Sequence, residues 1–203
     1  MLPALLAKNP DTGLYHGGVS GVGFALFEVG RATKNDTYTN GALAVLKYVL
    51  QQAEGGQLEH GKYPTSLRWG TAGVGFWLLD MAVRLPTEQA DYAARAMAAA
   101  KAGGDWLIRQ AVPTPGGGLK WLVDDTALEA PNYAEGTSGI AYYLATLYSV
   151  AKNTTHLKAG LAGATYLQSI ADTSDGGCVI WQTNMDKNMV CACVCMCVCV
   201  CVC

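Results

Sequence analysis

One phrase occurs three times in this 203-residue chain: Gly18-Val-Ser-Gly21-Val-Gly-Phe24, Gly70-Thr-Ala-Gly73-Val-Gly-Phe76 and Gly136-Thr-Ser-Gly139-Ile-Ala-Tyr142. Each copy reads Gly-x-small-Gly-aliphatic-small-aromatic and runs into an apolar, helix-forming stretch. Recurrence at intervals of roughly fifty to seventy residues marks a repeat architecture, in which each unit buries its apolar side against its neighbours. The glycines also direct attention to the helix starts, because a glycine-rich turn is where backbone comes close to something else.

The chain between the phrases reads as three helical hairpins from residue 13 to about residue 172. The first helix ends near Thr33, Asn35-Asp36 breaks the chain, and Tyr38 to Ala53 forms a second helix with Leu43, Leu46, Val49 and Leu50 on one face. Gly55-Gly56 stops it. The second hairpin runs from Gly70 to Arg84, breaks at Leu85-Pro86-Thr87 and returns through Glu88 to Gln110, with Thr87 as the expected N-cap. The third runs from Gly136 to about Lys152, turns at Asn153-Thr154 and returns through Leu157 to Ala171. Longer connections carry a second repeated phrase, Gly116-Gly-Gly-Leu-Lys-Trp121 and Gly176-Gly-Cys-Val-Ile-Trp181. Helix, short turn, helix and long loop in succession predict an all-α fold. The hairpins would form an α/α toroid with their glycine-turn ends facing a common cavity.

Charged residues make up 15% of the chain, and the formal net charge is −2. That balance, with no Lys/Arg cluster, excludes an electrostatic case for nucleic acid or an anionic membrane. Residues 1–12 read as a short N-terminal extension with no basic leader, and no stretch reads as a transmembrane span. Cys178 is the only cysteine before the last seven, so the body looks cytoplasmic rather than disulfide-bonded. Asn35-Asp-Thr37 and Asn153-Thr-Thr155 match the short glycosylation-acceptor pattern, which also arises by chance. Residues 189–203 alternate cysteine with Val, Ala and Met. Such spacing suits soft-metal thiolate sites, but a (TG)n dinucleotide repeat translates as Cys-Val-Cys-Val. The segment is therefore taken as a low-complexity gene-model artefact.

Across about residues 13 to 181, and best over Asn132-Tyr-Ala-Glu-Gly-Thr-Ser-Gly-Ile-Ala-Tyr-Tyr-Leu-Ala-Thr-Leu-Tyr148, the chain resembles the lanthionine synthetase C-like (LanC-like) family. Members of that family repeat a (His)-Gly-x-[Ala/Ser]-Gly-Ile phrase at inner-helix starts. The resemblance implies a toroid of six or seven hairpins, of which residues 13–188 would be a part. It also implies zinc-dependent addition of cysteine or glutathione thiols to dehydroamino acids, with a peptide or glutathione as partner. Zinc lowers the pKa of a thiol, and a nearby acid or base protonates the enolate formed by addition. The family's zinc ligands lie in Trp-Cys-x-Gly and Cys-His-Gly phrases, and neither occurs here. Zinc is thus expected in full-length members, with no metal ligand in this chain and no activity from it as it stands.

The candidate residues follow from this frame. Glu135 occupies the position of the family's phrase histidine and reads either as a cavity acid/base or as a first-turn carboxylate complementing the helix dipole. Asp124 and Asp125, with Glu129, form a carboxylate cluster in a long loop. With Glu135 it would serve a carbohydrate-active toroid of the six-hairpin glycosidase type, or else it is a solvated loop. His16 precedes the first glycine turn and reads either as a cavity-lining histidine or as a turn histidine hydrogen-bonded locally. Trp69, Trp121 and Trp181 read as cavity walls or as packed core. A non-catalytic binding scaffold is the third alternative.

Overall fold

The computed structural model describes residues 4, 6–8, 13, 18–56, 65–123, 129–171, 178–182 and 190–195. The fold is mostly helical. Among the described residues, six helices pair into three hairpins: α1 (Val19–Thr33) with α2 (Asp36–Glu54), α3 (Thr71–Arg84) with α4 (Ala90–Gln110), and α5 (Thr137–Ala151) with α6 (Thr154–Ser169). Within the set, α3 lies between α1 and α5, and α4 lies between α2 and α6. The first helices of the hairpins thus make one layer and the second helices another.

The hairpin turns show why the helices begin and end where they do. Lys34 and Lys152 each close a first helix in the left-handed region, at φ 53° and 57°. The next residue, Asn35 or Asn153, caps the second helix, its Oδ1 accepting the backbone N–H of Thr37 (2.9 Å) or Thr155 (3.0 Å). The two Asn-x-Thr patterns are therefore helix caps. Because Asn35 is the cap, α2 starts at Asp36, two residues before the expected Tyr38. The middle hairpin departs from this plan. Thr87 is not a side-chain cap: Thr87–Gln89 form a single 3₁₀ turn after Pro86, and α4 follows it. Pro86 has no N–H to lose at such a turn, so the tighter turn does the work of the missing asparagine.

The core sits between the layers. The α2 helix contributes Val45, Leu46, Val49 and Leu50, all fully buried, with Leu43 half-buried at its margin. Flanked on both sides, α3 buries nine of its fourteen residues, including Trp77, Leu78 and Met81. The α4 helix meets its neighbours through Ala96, Ala100 and Gly104, small residues that let backbones approach. After α4, β1 (Val112–Pro113) and β2 (Leu119–Lys120) pair antiparallel around a glycine turn, in which Gly116 and Gly117 have positive φ.

Beyond α6, β3 (Cys178–Gln182) pairs antiparallel with β4 (Val190–Cys195), with a register shift between Ile180 and Trp181. The segment taken as low-complexity composition thus carries a strand, in keeping with the β preference of Val190 and Val194. Among the described residues, no helix is long and apolar enough to cross a membrane.

Candidate functional site

The repeated glycines do not reach φ values that require glycine; Gly18, Gly70 and Gly136 cap their helices at φ −69°, −113° and −123°. Close approach is what requires Gly18, Gly136 and Gly139. A Cβ on Gly136 would stand 1.7 Å from the Ala130 carbonyl oxygen, one on Gly139 2.0 Å from that of Tyr133, and one on Gly18 2.0 Å from that of Gly13. The incoming chain lies across the first turn of its own helix and caps it. Ala130 O accepts from Thr137 N (3.0 Å), Pro131 O from Ser138 N (3.2 Å) and Asn132 O from Gly136 N (3.2 Å). In the second copy Ser66 O takes both Gly70 N (3.0 Å) and Gly73 N (3.4 Å). What the glycine turns approach is therefore the protein itself, and these helix-start amides are already spent.

A side chain four residues before each of the two later glycines completes the turn. Ser66 Oγ accepts from Trp69 N (3.0 Å), and Asn132 Oδ1 accepts from Glu135 N (2.8 Å). The second and third turns are also tied to each other. Arg68 N donates to Ala134 O (2.9 Å), and Arg68 Nη1 stands 3.1 Å from Glu135 Oε1. Sequence reasoning missed Arg68, Ser66 and Asn132, although the polar residue four before the glycine is legible in copies two and three. Glu135 itself lies before the helix cap rather than in the first turn, which corrects the dipole reading; its charge is met by Arg68. Its second oxygen, Oε2, is sealed from solvent without a hydrogen bond. A general acid or base must reach its substrate, so this placement counts against a catalytic Glu135.

The remaining candidates divide. Trp121 is a core residue and not a cavity wall: it is 1% exposed, its indole N–H donates to Leu107 O (2.7 Å), and its backbone N–H to Thr137 Oγ1 (3.2 Å). Trp69 is half-buried with the Arg68 guanidinium 5.2 Å from its ring centroid. Glu129 is engaged by Lys120 and by the Tyr166 hydroxyl (3.1 Å). Lys120 holds its carboxyl below the ordinary range, while burial and Glu129 push the Tyr166 phenol up to about 12. His16, Asp124 and Asp125 lie outside the described residues, and of Trp181 and Cys178 only the backbone, in β3, is described. Among the described residues, no three His, Cys, Asp or Glu side chains converge as metal ligands.

The first-helix layer carries the most open chemistry. The aromatic that ends each phrase lies on one common face: Phe24 is 41% exposed, Tyr142 49%, and Phe76 is half-buried between them. Phe76 and Tyr142 are 5.7 Å apart by centroid, as are Tyr142 and Tyr133, so aromatic rings continue from one repeat into the next. The register is set one residue to either side. Trp77 presses on Gly23, where an added Cβ would meet its ring at 2.5 Å. Tyr143 presses on Gly75, where the hydroxyl would be 2.3 Å away. The residue after the phrase aromatic therefore plugs a glycine socket in the previous repeat, and the phrase aromatic is turned to the open side.

Alongside this row a groove of about 210 Å³ runs between α3 and α5, lined by Phe76, Leu79, Asp80, Val83, Arg84, Thr146 and Val150. Arg84 pairs with Glu28 of α1 and with Asp80. Burial raises the Asp80 carboxyl above its ordinary range, with Arg84 opposing, whereas Arg84 lowers that of Glu28. No protein-family model matches the chain, and no curated protein matches it.

Proposed function

We propose that the chain is a repeat scaffold on the LanC-like α/α-toroid plan, and that the face bearing Phe24, Phe76, Tyr142 and Tyr133 binds a peptide. One observation carries the reading. The glycine socket and the plug that fills it recur in register from repeat to repeat, so the adjoining aromatic is delivered to the same open face each time. A packed repeat spends its apolar groups on its neighbours. Rings kept half in water along one face are available for a ligand instead, and exposed apolar patches of this kind mark interaction sites. Peptide chains suit such a surface, because aromatic rows give contact area at low entropy cost.

The family's zinc chemistry is not assigned to the residues described. They bring no ligand set together, so no step is routed through the metal, and the part given to them is binding. The glycan-acting alternative needs two carboxylates facing a substrate, and the sealed Oε2 of Glu135 does not provide one. The test is a titration of a fluorescein-labelled peptide containing dehydroalanine and cysteine, followed by anisotropy. Tyr142→Ala and Phe76→Ala should each weaken binding by about tenfold, the loss expected of an aromatic anchor. Affinity unchanged in both variants would remove the aromatic face from the proposal.

A further inference from the structure

The groove between α3 and α5 owes its existence to one departure from the repeat. Counted from the opening glycines, Glu28, Asp80 and Thr146 are equivalent, and so are Ala32, Arg84 and Val150. Between the first two repeats, the cation at the later position fills the gap. Arg84 lies with its guanidinium 4.9 Å from the Phe27 ring centroid and bridges Glu28 Oε1 (2.5 Å) and Asp80 Oδ2 (2.8 Å). Between the second and third repeats the same place belongs to Val150, which is short and uncharged, and the gap is open. Leu79 stands there as Phe27 stands one repeat earlier, and Asp80 as Glu28.

We propose that the α3/α5 groove receives a cationic side chain of a bound peptide, arginine or lysine, which lies along Leu79 and Val150 and pairs with Asp80. This rests on the peptide-face reading and adds what the face selects. Charge complementarity supports that occupant on three counts. Asp80 and Arg84 are the charged groups of the groove wall, and that one guanidinium is shared between Asp80 and Glu28 outside the groove, so two carboxylates face it; Arg31, which also pairs with Glu28 at 3.4 Å, is 68% exposed, and solvent screens it. No residue of α5 carries a charge, and Lys152 beyond its end is turned over the Tyr148 ring. Finally, the groove ends beside the last turns of both α3 and α5, whose carbonyl ends favour positive charge. The stem of a long cationic side chain covers apolar surface while its head meets the carboxylate, as Arg84 does in the neighbouring gap.

The experiment compares four fluorescein-labelled heptapeptides that differ only at a central arginine, lysine, norleucine or glutamate, titrated against the wild type, Asp80→Asn and Val150→Arg. The cationic peptides should bind the wild type about tenfold more tightly than the norleucine peptide, as a charge-assisted pair would give, and the glutamate peptide should bind most weakly. Asp80→Asn should erase the preference. Val150→Arg should erase it too, because the repeat's own cation then fills the groove, and it should raise the melting temperature. Equal affinity for all four peptides overturns this inference while leaving the peptide face intact. A cationic preference that survives in Val150→Arg overturns it as well. Failure of every peptide to bind overturns both readings.

Discussion

The two junctions between hairpins are built on one plan and finished differently. At each, an aromatic plug enters a glycine socket: Trp77 into Gly23 at the first, Tyr143 into Gly75 at the second. Tyr143 donates its hydroxyl to Ala100 O (2.6 Å), and burial pushes its phenol far above the ordinary range. Trp77 keeps its indole N–H buried with no partner. The second junction is further tied by Arg68 with Glu135, by Arg68 N with Ala134 O, and by Thr65 Oγ1 with Leu122 O. The first relies on the Arg84 cluster, which lies partly in water. Repetition thus specifies the shape of the contact, and buried hydrogen bonds decide how rigidly each copy is held.

Filling the sockets tests this difference most severely. In Gly75→Ala the new methyl meets a hydroxyl that Ala100 holds in place, and overpacking of this kind costs about 3 kcal/mol. Gly23→Ala should cost less, because the new methyl meets the Trp77 ring and the Val45 side chain, neither of which is held there by a hydrogen bond. Urea denaturation midpoints read both. Equal losses would mean that the two plugs are equally fixed, and the contrast between the junctions would fail.

Arg68→Gln comes next. It leaves the Glu135 carboxylate buried without a counter-charge, and a loss of about 2 kcal/mol is expected. Adding Glu135→Gln should recover part of that loss, since the stranded charge is gone; a double variant as unstable as the sum of the two single losses would show that the pair is not coupled.

The plugs' polar atoms give a smaller effect. Tyr143→Phe should cost about 1 kcal/mol for its lost hydrogen bond. Trp77→Phe loses apolar contact but also discards an unsatisfied N–H, so those opposing terms should leave less than about 1 kcal/mol. A larger loss in Trp77→Phe would show that the lost apolar contact and the cavity outweigh the relief of the unsatisfied N–H.

The hairpins were legible in the sequence because their signals are local: helix periodicity, the breaks at Asn35-Asp36 and Asn153-Thr154, and Gly55-Gly56 all act within a few residues. The glycine phrase marked the right places for a reason that was not legible. Its glycines clear a path for the incoming chain, and the carbonyl that needs the room, such as Ala130 O beside Gly136, is fixed by tertiary folding. Arg68 and Glu135 lie 67 positions apart, and no periodicity links them. The aromatic face was half legible. Phe24, Phe76 and Tyr142 stood out within the phrase, but the neighbours Trp77 and Tyr143 look the same in composition, and only the sockets decide which ring is buried.

The least effect, and the one that separates the two carboxylates sharing Arg84, is in pH dependence. Arg84 lowers the Glu28 carboxyl below its ordinary 4.5, so Glu28 contributes stability above that value that is lost as pH falls through the lowered one. Burial raises Asp80 above 3.8, so the folded state holds this proton more tightly than the unfolded chain does. Its charge costs stability above the raised value, and acidification relieves the cost. The two carboxylates therefore bend the pH profile in opposite senses. In Asp80→Asn the gain on acidification disappears, so wild type should improve relative to this variant as pH falls from 7 to 4. In Glu28→Gln the lost contribution no longer depends on pH, so the variant should approach wild type below pH 4.5. Each change should stay under about 1 kcal/mol, because these pairs are partly solvated. Urea midpoints collected across this range read both, and a parallel shift of the two variants would show that Arg84 does not divide its charge between two unlike sites.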